Sequence, residues 1–547
     1  MIQYKKIAKF ALLFIVMGVA LGCTKLNEKL QSTLTNAQVT ASFGTAGPAL
    51  LLSGAYADLT FLTAQDQLFS LEENSTDESL VPTRGGDWDD NGVWRVVHNH
   101  NWNADHGQIL ATFNSLNKLN FDATNVLTFN PTKPQAAQAK VLRAFALFYL
   151  LDLYGQYPIR NPGDNLLLAP VVRNGKEGID SVINDIVTSL PDLPDPGNPA
   201  LMNKDVAKVL LMKCYLQKGV ILNPASPTFD PGDLAQVVTL GSDIISSNKY
   251  SYEANYFSNF KPENHSAKEA IFLYPNTGGV ATNHAGVEAR WNMTLHYNSY
   301  TPNNPNAGWN GFTTISDFYN SFNTTATPTV YDHADTLTIT DMRLGGRVKS
   351  DSLSTVTSGI RPGFLVGQQY NENKVALKDR KGFPLAYTPA IASDMIENGS
   401  NLEVTGIRVV KYVPDYAFYG GPSNNDFMIF RYPDVVLMVA EAKLRINPAD
   451  ATAFTAINDL RTARNAPALP TPIPLVNTAN VEDPKTLLAE RGREFYWESS
   501  RRTDLLRFGV YLNIWQYKPT DDPKNLLFPI PNQALAANPN LTQNPGY

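Results

Sequence analysis

Cysteine is almost absent from this sequence: the 547 residues include only Cys23 and Cys214. Cys23 follows an apolar N-terminal run, whereas Cys214 lies in "KVLLMKCYLQKG", an apolar helical pattern that is typical of a small core residue. If Cys23 is modified, as its setting indicates, one thiol is left and no internal disulfide can form. The fold should therefore be stabilised by packing.

Runs of basic residues are missing beyond the extreme N-terminus. The chain has 45 Lys and Arg against 51 Asp and Glu, which gives a formal net charge of −6. Proteins that bind nucleic acid concentrate positive charge to neutralise phosphates. The sequence therefore predicts no nucleic-acid partner.

Long apolar runs are also absent after the N-terminus. No later segment reaches 18 uninterrupted apolar residues, and the closest, "AFALFYLLDLYG", follows Arg143 and contains Asp152. A membrane-spanning helix needs about 20 predominantly apolar residues. We therefore expect a soluble body.

The N-terminus has the pattern of an export signal. Three lysines precede an apolar run over residues 10–21, and the small residue Gly22 stands directly before Cys23. This pattern predicts a lipoprotein signal peptide over residues 1–22, lipidation of Cys23 and a polar tether over residues 23–45. Several acyl chains would hold the body at a membrane. A plain secretory signal with a coincidental cysteine is the alternative.

Helical periodicity dominates two parts of the chain, residues 46–249 and 426–547. The longest pattern, "KPQAAQAKVLRAFALFYLLDLYG", is apolar nearly all round in its second half, so it should be buried and should end at Gly155. Over residues 250–425 the periodicity fades and short strand-like runs such as "GIRVVKYV" occur. We predict a mainly α fold: a tetratricopeptide-like helical-repeat scaffold with a loop-rich middle subdomain that contains short strands.

The segment "LLAERGREFYWESSRRTDLLRFG" (487–509) predicts one helix with Glu490, Glu494, Glu498 and Arg502 on one face. Paired carboxylates could indicate a glycosidase, but carboxylates on one helix point in parallel and do not converge on a scissile bond. We interpret them as an internal ion-pair network with neighbouring arginines. Because no glycine-elbow serine, phosphate-binding loop or two-histidine zinc helix occurs, we expect no catalysis and no cofactor.

The stretch "GGDWDDNGVWRVVHNHNW" (85–102) partly matches a calcium-binding hand, with Asp87, Asp89 and Asn91 in ligand positions. Position twelve is His98 instead of a bidentate acid, and "VPTRGG" leaves no entering helix. A hand-type calcium site is therefore not expected, although a looser oxygen-ligand site stays open.

Three histidines, at positions 98, 100 and 106, lie in or just after this stretch. Alternation with asparagine in a loop does not provide a tight metal geometry. We interpret them as surface histidines and predict no metal site.

Tryptophan is concentrated in two loop-rich windows, which hold five of the seven residues of this type: Trp88, Trp94, Trp102, Trp291 and Trp309. A flat indole face matches the C–H face of a sugar ring, and neighbouring amides and acids can bind its hydroxyls. The alternative is that these indoles fill gaps under long loops. We predict a ligand loop over residues 81–105 and the following ligand-binding residues: Arg84, Trp88, Asp89, Asn91, Trp94, Asn101, Trp291, Tyr297, Trp309 and Asn310.

Several stretches together resemble the SusD/RagB-type outer-membrane nutrient-binding lipoproteins. The resemblance is carried by "VLRAFALFYLLDLYGQYPI" (141–159), "RYPDVVLMVAEAKLR" (431–445), "AINDLRTAR" (456–464), the segment 487–509 and "LLFPIPNQALAANPNLTQNPGY" (526–547). No motif of the family is recognised in residues 250–425.

The resemblance implies a non-catalytic binding protein at the cell surface, anchored to the outer membrane by its lipid. Such a protein captures an oligosaccharide or polysaccharide and serves as the lid of a SusC-like TonB-dependent transporter. Delivery of peptides or other non-sugar nutrients is the alternative, and a surface glycoside hydrolase is the less favoured one.

Overall fold

Helices account for most of the regular structure in the computed structural model, which describes residues 44–299, 308–322, 341–345, 360–371, 375–418, 421–519 and 521–547. The predicted signal peptide, Cys23 and nearly all of the tether lie outside these residues. The helices are α1 Gly47–Ala57, α2 Val93–His98, α3 Gly107–Thr128, α4 Lys133–Tyr154, α5 Gly175–Ser189, α6 Lys204–Leu222, α7 Pro231–Ser246, α8 Ala289–Asn292, α9 Ser316–Asn320, α10 Tyr432–Ile446, α11 Ala451–Ala463, α12 Leu487–Phe495, α13 Arg501–Arg507 and α14 Asn532–Ala537.

The strands are short and pair two by two. They are β1 Thr83–Arg84, β2 Gln156–Ile159, β3 Val171–Asn174, β4 Ala270–Tyr274, β5 Gly363–Leu365, β6 Gly367–Gln368, β7 Ala386–Tyr387, β8 Ile396–Glu397, β9 Arg408–Val410 and β10 Phe427–Arg431. β1 pairs with β8 in parallel, and the pairs β2–β3, β4–β10, β5–β9 and β6–β7 are antiparallel. The predicted mainly α fold with short strands is confirmed.

The long helices pack in a continuous series. α3 contacts α4, α4 contacts α5, and the series goes on through α6 and α7 to α10 and α11. Successive neighbours that bury a shared apolar face are the packing pattern of helical repeats. Residues Pro48–Tyr547 form one compact unit.

Helix α4 lies at the centre of this series, and its ends follow from local sequence. Thr132 and Gln135 form a capping box at its start, with the Thr132 amide donating to the Gln135 side chain at 2.9 Å. Gly155 ends it with φ 71°, a left-handed conformation that favours glycine. From Val141 to Tyr154 every residue is buried, as predicted.

Cys214 lies in α6 and is fully buried, as its apolar pattern predicted. Burial raises the pKa of its thiol well above the usual value, so the side chain acts as a small apolar group. Within the described part of the chain, no helix combines the length and the hydropathy needed to cross a bilayer.

A buried ion-pair network joins the C-terminal helices to the rest of the fold. Glu494 accepts hydrogen bonds from Arg431 at 2.9 Å, from Arg464 at 2.8 Å and from Arg343 at 3.1 Å. Burial acts to raise the pKa of Glu494, but the charges of Arg464 and Arg431 outweigh it and lower the pKa to about 2. Glu490 makes ion pairs with Arg343, Arg461 and Arg493. The predicted network is confirmed, although most of its arginines come from other elements.

The prediction of a single helix over 487–509 is wrong. α12 ends at Phe495, and α13 begins at Arg501. Between them Trp497 and Ser499 both have φ 58°, which interrupts the helix. Glu498 therefore leaves the predicted face and pairs with Lys411 and Arg431. These partners are distant in sequence, so helical periodicity could not reveal them.

Candidate functional site

A tight turn places the first part of the site at the surface. After β1, the amide of Arg84 donates to the carbonyl of Asp87 at 2.8 Å, and the amide of Asp87 donates back to the carbonyl of Arg84 at 3.1 Å. Gly85, inside this turn, has φ 66°, a conformation that glycine adopts without strain. The Arg84 side chain is buried and donates to the carbonyls of Leu402 and Thr405. It therefore anchors the turn.

The indole of Trp88 packs on an aromatic cluster beneath the turn. Its ring centroid lies 5.4 Å from that of Trp94 and 5.5 Å from that of Phe312, both edge to face. Its six-membered ring also lies against Gly311, where a Cβ atom would come within 2.3 Å of Trp88 Cε2. Any larger residue at position 311 would displace the indole.

The second window meets the first through a hydrogen bond between the two tryptophans. Trp88 Nε1 donates to the carbonyl of Trp309 at 2.8 Å. The amide of Trp309 donates to the carbonyl of Asn292 at 2.6 Å, which ties this segment to the end of α8. The side chain of Trp309 is 37% exposed, so an indole is held at the surface beside Trp88.

A second link between the windows carries charge. Tyr297 donates its hydroxyl to Asp87 Oδ2 at 2.6 Å. The guanidinium of Arg380 stacks on the Tyr297 ring, 3.9 Å from its centroid, and lies 3.5 Å from the same Asp87 oxygen. Arg380 Nε donates to Glu403 Oε1 at 2.5 Å. We call Asp87, Trp88, Tyr297, Trp309 and Arg380 the surface cluster.

Arg380 is positioned by a turn that Asp379 organises. The buried Asp379 carboxylate accepts from the amide of Lys381 at 2.9 Å and from that of Phe383 at 2.8 Å. Arg380 and Asp87 are each 48% exposed, whereas Glu403 is buried. Arg380 and Asp87 are therefore accessible to a ligand, whereas the buried Glu403 holds Arg380 in position.

The charges of the cluster are fixed by its neighbours. Burial acts to raise the pKa of Glu403, but hydrogen bonds from Arg380 and His296 lower it. Burial lowers the pKa of His296 to about 4 in spite of its 2.7 Å contact with Glu403. His296 is therefore neutral at pH 7, and Glu403 is ionised. For Tyr297, burial and then the hydrogen bond to Asp87 raise the pKa, so its hydroxyl keeps its proton.

The predicted ligand-binding residues do not all reach the surface. Arg84, Trp94, Trp291 and Asn310 are buried, so their side chains can support a binding surface but cannot form its face. Trp88, Asp89 and Tyr297 are half-buried, and Asn91, Asn101 and Trp309 are exposed. Trp88, Tyr297 and Trp309 are brought together. Asn101 follows the other end of α2, where its amide donates to the carbonyl of Val96.

The interpretation of all five indoles as outward loop residues is corrected by local helices. Trp94 lies in α2 and is 5% exposed, and Trp291 lies in α8 and is fully buried. Trp102 is also buried, with Nε1 donating to the Tyr547 hydroxyl at 2.7 Å. Asn91 and Gly92, at φ 56° and 78°, turn the chain into α2 and aim Trp94 inward.

The three histidines are buried, so their interpretation as surface residues is wrong. His98 lies within 3.0 Å of the carbonyls of Ser79 and Gln516, and burial lowers its pKa to about 4. His100 pairs with Asp521 at 2.5 Å, and His106 contacts the carbonyl of Val93 at 3.1 Å. They stabilise packing between distant segments.

The acidic residues of the opening stretch face different protein donors. Asp87 contacts Tyr297 and Arg380, Asp89 pairs with Arg95 at 3.1 Å, and Asp90 accepts from Trp94 Nε1 at 2.7 Å. They do not converge on one point, and in the described part of the chain no group of three or more such residues is placed to hold a metal ion.

Sequence reasoning missed three residues of the site: Asp87, Arg380 and Glu403. Arg380 and Glu403 lie in the part of the chain where no motif is recognised, and their roles depend on contacts with residues far away in sequence. For Asp87, the sequence pattern indicates only a position in a calcium-binding hand. Its position between two glycines and Trp88 was the one available signal.

Comparisons with known proteins agree with this architecture. Residues 268–521 match the model of the SusD family. The chain is 26% identical over 452 residues to the starch-binding protein SusD of Bacteroides thetaiotaomicron, an alignment that covers 78% of this chain and 75% of that protein.

Solved structures share the fold. A SusD superfamily protein from Parabacteroides distasonis superposes with a TM-score of 0.67 at 18% identity, covering 91% of this chain and 98% of the other. The surface glycan-binding protein A from Bacteroides uniformis gives 0.64 at 17% identity, with 91% and 98% covered. Over residues 268–521 the chain is therefore similar to the SusD family, and its fold is that of the SusD-superfamily structures.

Proposed function

We propose that this protein binds an oligosaccharide or polysaccharide at the cell surface and delivers it to a SusC-like TonB-dependent transporter, on which it acts as a lid. The family is a glycan-binding one. In this proposal the surface cluster is the ligand site, and lipid on Cys23 holds the protein at the outer membrane.

The proposal depends on one observation: an exposed indole, that of Trp309, lies beside polar atoms of Asp87 and Arg380 that can still form hydrogen bonds. Trp309 offers an aromatic face, and Asp87 Oδ1 has no hydrogen-bond partner among the described residues. Arg380 Nη2 lies only 3.5 Å from Asp87 Oδ2, which is too long for a strong hydrogen bond and leaves the donor available. Stacking plus adjacent donors and acceptors is the chemistry that a sugar requires.

The names of related proteins support a glycan as the ligand. One relative is named for starch binding, one similar structure for surface glycan binding and another for laminarin binding. The glucans differ, so these names favour a ligand class and not one sugar. No described contact at the surface cluster favours a peptide specifically.

The carboxylates of the cluster are not arranged for hydrolysis. A glycosidase needs two carboxyl groups on opposite sides of the scissile bond, one of them with a raised pKa. Asp87 and Glu403 both face the guanidinium of Arg380, and the pKa of Glu403 is lowered. Glu403 therefore lacks the raised pKa that a general acid needs.

A panel of neutral and acidic polysaccharides in native affinity gels tests ligand binding. We expect slowed migration without release of reducing ends. Arg380→Gln should weaken retention at least about fivefold because a hot-spot cation is lost. Lys176→Gln, a change at an exposed lysine on α5, should leave retention unchanged. Binding to peptides alone would favour the alternative ligand class, and new reducing ends would overturn the proposal.

The anchor and the transporter are tested in cells. Cys23→Ala should move the protein from the membrane fraction to the soluble exported fraction. Pull-down of the lipidated protein should recover an outer-membrane barrel transporter. Recovery of the protein alone, from membranes that contain the transporter, would contradict the lid role.

A further inference from the structure

The surface cluster has an excess of negative charge around its only guanidinium. Arg380 contacts Glu403 at 2.5 Å and Asp87 at 3.5 Å, so one positive group faces two carboxylates. His296, which also contacts Glu403, is neutral at pH 7 because burial lowers its pKa to about 4. Among the side chains in direct contact, one guanidinium therefore faces two carboxylates, and the exposed carboxylate is that of Asp87.

Other charges near the cluster are buried or paired. The guanidiniums of Arg84 and Arg408 act on Tyr297 and His296, but both are buried, and the charge of Glu397 offsets part of theirs. Asp89 is paired with Arg95 at 3.1 Å, which cancels both charges. The ammonium of Lys381 donates to the carbonyl of Gly399 at 3.2 Å. Asp90, which accepts from Trp94, adds a further negative charge beside the indoles.

A sugar carboxylate would meet an unfavourable environment here. To reach Arg380 it would have to approach Asp87, whose side chain is 48% exposed, and like charges at such a distance repel. A neutral sugar can instead donate a hydroxyl to Asp87 and accept from Arg380 with an adjacent hydroxyl. The carboxylate and guanidinium thus suit a vicinal diol.

We infer that Asp87 is a specificity-determining residue that selects neutral sugars against sugars with a carboxylate group. The inference rests on the proposed function, because it assumes that the surface cluster is the glycan site. Glu403 contributes by holding Arg380 in place and neutralising it, since its carboxylate is buried and accepts from both Nε and the amide of Arg380.

Matched polymers isolate the effect of charge. The probes are soluble starch, laminarin and galactomannan, each used intact and after oxidation of C6 hydroxymethyl groups to carboxylates. We expect the intact form of at least one polymer to bind the wild type about tenfold or more tightly than its oxidised form. Asp87→Asn should reduce this ratio below about threefold, because the amide keeps an acceptor for Tyr297 but removes the charge.

Asp105→Asn is the matched control, since Asp105 is exposed and contacts Asn532 away from the cluster. It should leave the ratio unchanged. Equal binding of intact and oxidised polymers by the wild type, or an unchanged ratio in Asp87→Asn, would overturn the inference and leave the glycan function standing. Failure of every polymer in both forms would overturn the proposed function itself.

Discussion

Two groups of arginines, carboxylates and aromatic rings in this protein have similar composition and opposite settings. In the core, Glu494 joins Arg343, Arg431 and Arg464, and all four side chains are buried. In the surface cluster, Arg380 faces Asp87, with each side chain 48% exposed. The same residue types are therefore buried in the core network and exposed to solvent in the surface cluster.

The difference lies in how many polar atoms are left for a ligand. Both oxygens of Glu494 accept two guanidinium hydrogen bonds from residues on other elements, so the network fastens distant segments together. Asp87 leaves one oxygen without a partner among the described residues. Removing a charge should therefore cost stability in the core and binding at the surface.

The largest effect on stability is expected from Glu494→Gln. The change leaves three buried guanidinium groups facing a neutral amide, and breaking a buried ion pair in this way costs about 3–5 kcal/mol. Urea unfolding should show a lower midpoint with an unchanged slope. Asp87→Asn makes the equivalent change at the surface and should cost less than about 0.5 kcal/mol. If Glu494→Gln lowers the free energy of unfolding by less than about 1 kcal/mol, burial does not make the core ion pairs more important for stability than the surface pair.

The next effect is expected from Trp94→Ala. This indole is 5% exposed and packs edge to face on Phe312 at 5.3 Å, so its removal opens a cavity beneath the surface cluster. We expect a loss of about 3 kcal/mol in the free energy of unfolding, together with weaker glycan binding because Trp88 loses its support. Trp94→Phe, which refills part of the space, should recover part of the stability. A variant with unchanged unfolding would mean that Trp94 is not a core residue.

A third comparison lies within the core itself, between the Glu494 network and the buried segment Ser70–Ser79. Burial raises the pKa of Glu73 to about 7, and burial and then the charge of Asp152 raise that of Glu72 to about 8. Glu72 accepts from Thr503 and lies 3.9 Å from Arg502, and Glu73 accepts from the amide of Ser500, so neither is surrounded by close guanidiniums as Glu494 is. They should therefore hold protons where Glu494 does not.

This contrast predicts that stability falls between pH 6.5 and pH 8, an interval above the range in which the buried His98 and His296, with pKa values lowered to about 4, make stability rise with pH. A carboxyl with a raised folded pKa binds more protons in the folded state, so stability falls as pH rises from about 4.5 to about 8. Glu494, with its pKa lowered to about 2, has the opposite effect, and its contribution is lost below about pH 4.5. Urea unfolding at pH 6.5 and pH 8 should differ by about 2 kcal/mol, with the protein less stable at pH 8.

Glu73→Gln tests the assignment, since the amide is neutral at every pH. It should flatten the fall in stability between pH 6.5 and pH 8, whereas Glu177→Gln, at an exposed glutamate, should not. Stability that rises over this interval in the wild type would show that the acidic segment is ionised throughout.

The scaffold was more predictable than the site because its signals are local. The α4 pattern, its capping residues and its final glycine lie within one stretch of sequence, and each contributes to the same helix. The two tryptophan windows could be singled out as well, and Trp88 meets Trp309. The Trp94 side chain points into the core because Asn91 and Gly92 have positive φ angles. The position of Arg380 depends on its contacts with Tyr297 and Glu403. Neither has a periodic signature.

The smallest effect on stability, and the clearest effect on binding, is expected from Trp309→Ala. The indole is 37% exposed, and the structural hydrogen bond from Trp88 goes to the backbone carbonyl, which alanine retains. We therefore expect less than about 0.5 kcal/mol of destabilisation. Glycan retention should fall at least about tenfold, because an aromatic anchor at the centre of the surface is removed.

Phe418→Ala provides a matched control, since Phe418 is 38% exposed but packs against Gly278 and Gly279 instead of the surface cluster. It should leave glycan retention unchanged. Full retention in Trp309→Ala would place the glycan on another face. A loss of about 2 kcal/mol or more in the free energy of unfolding would mean that Trp309 is a packing residue like Trp94. The contrast between buried packing residues and exposed binding residues would then not hold for Trp309, the residue on which it depends most.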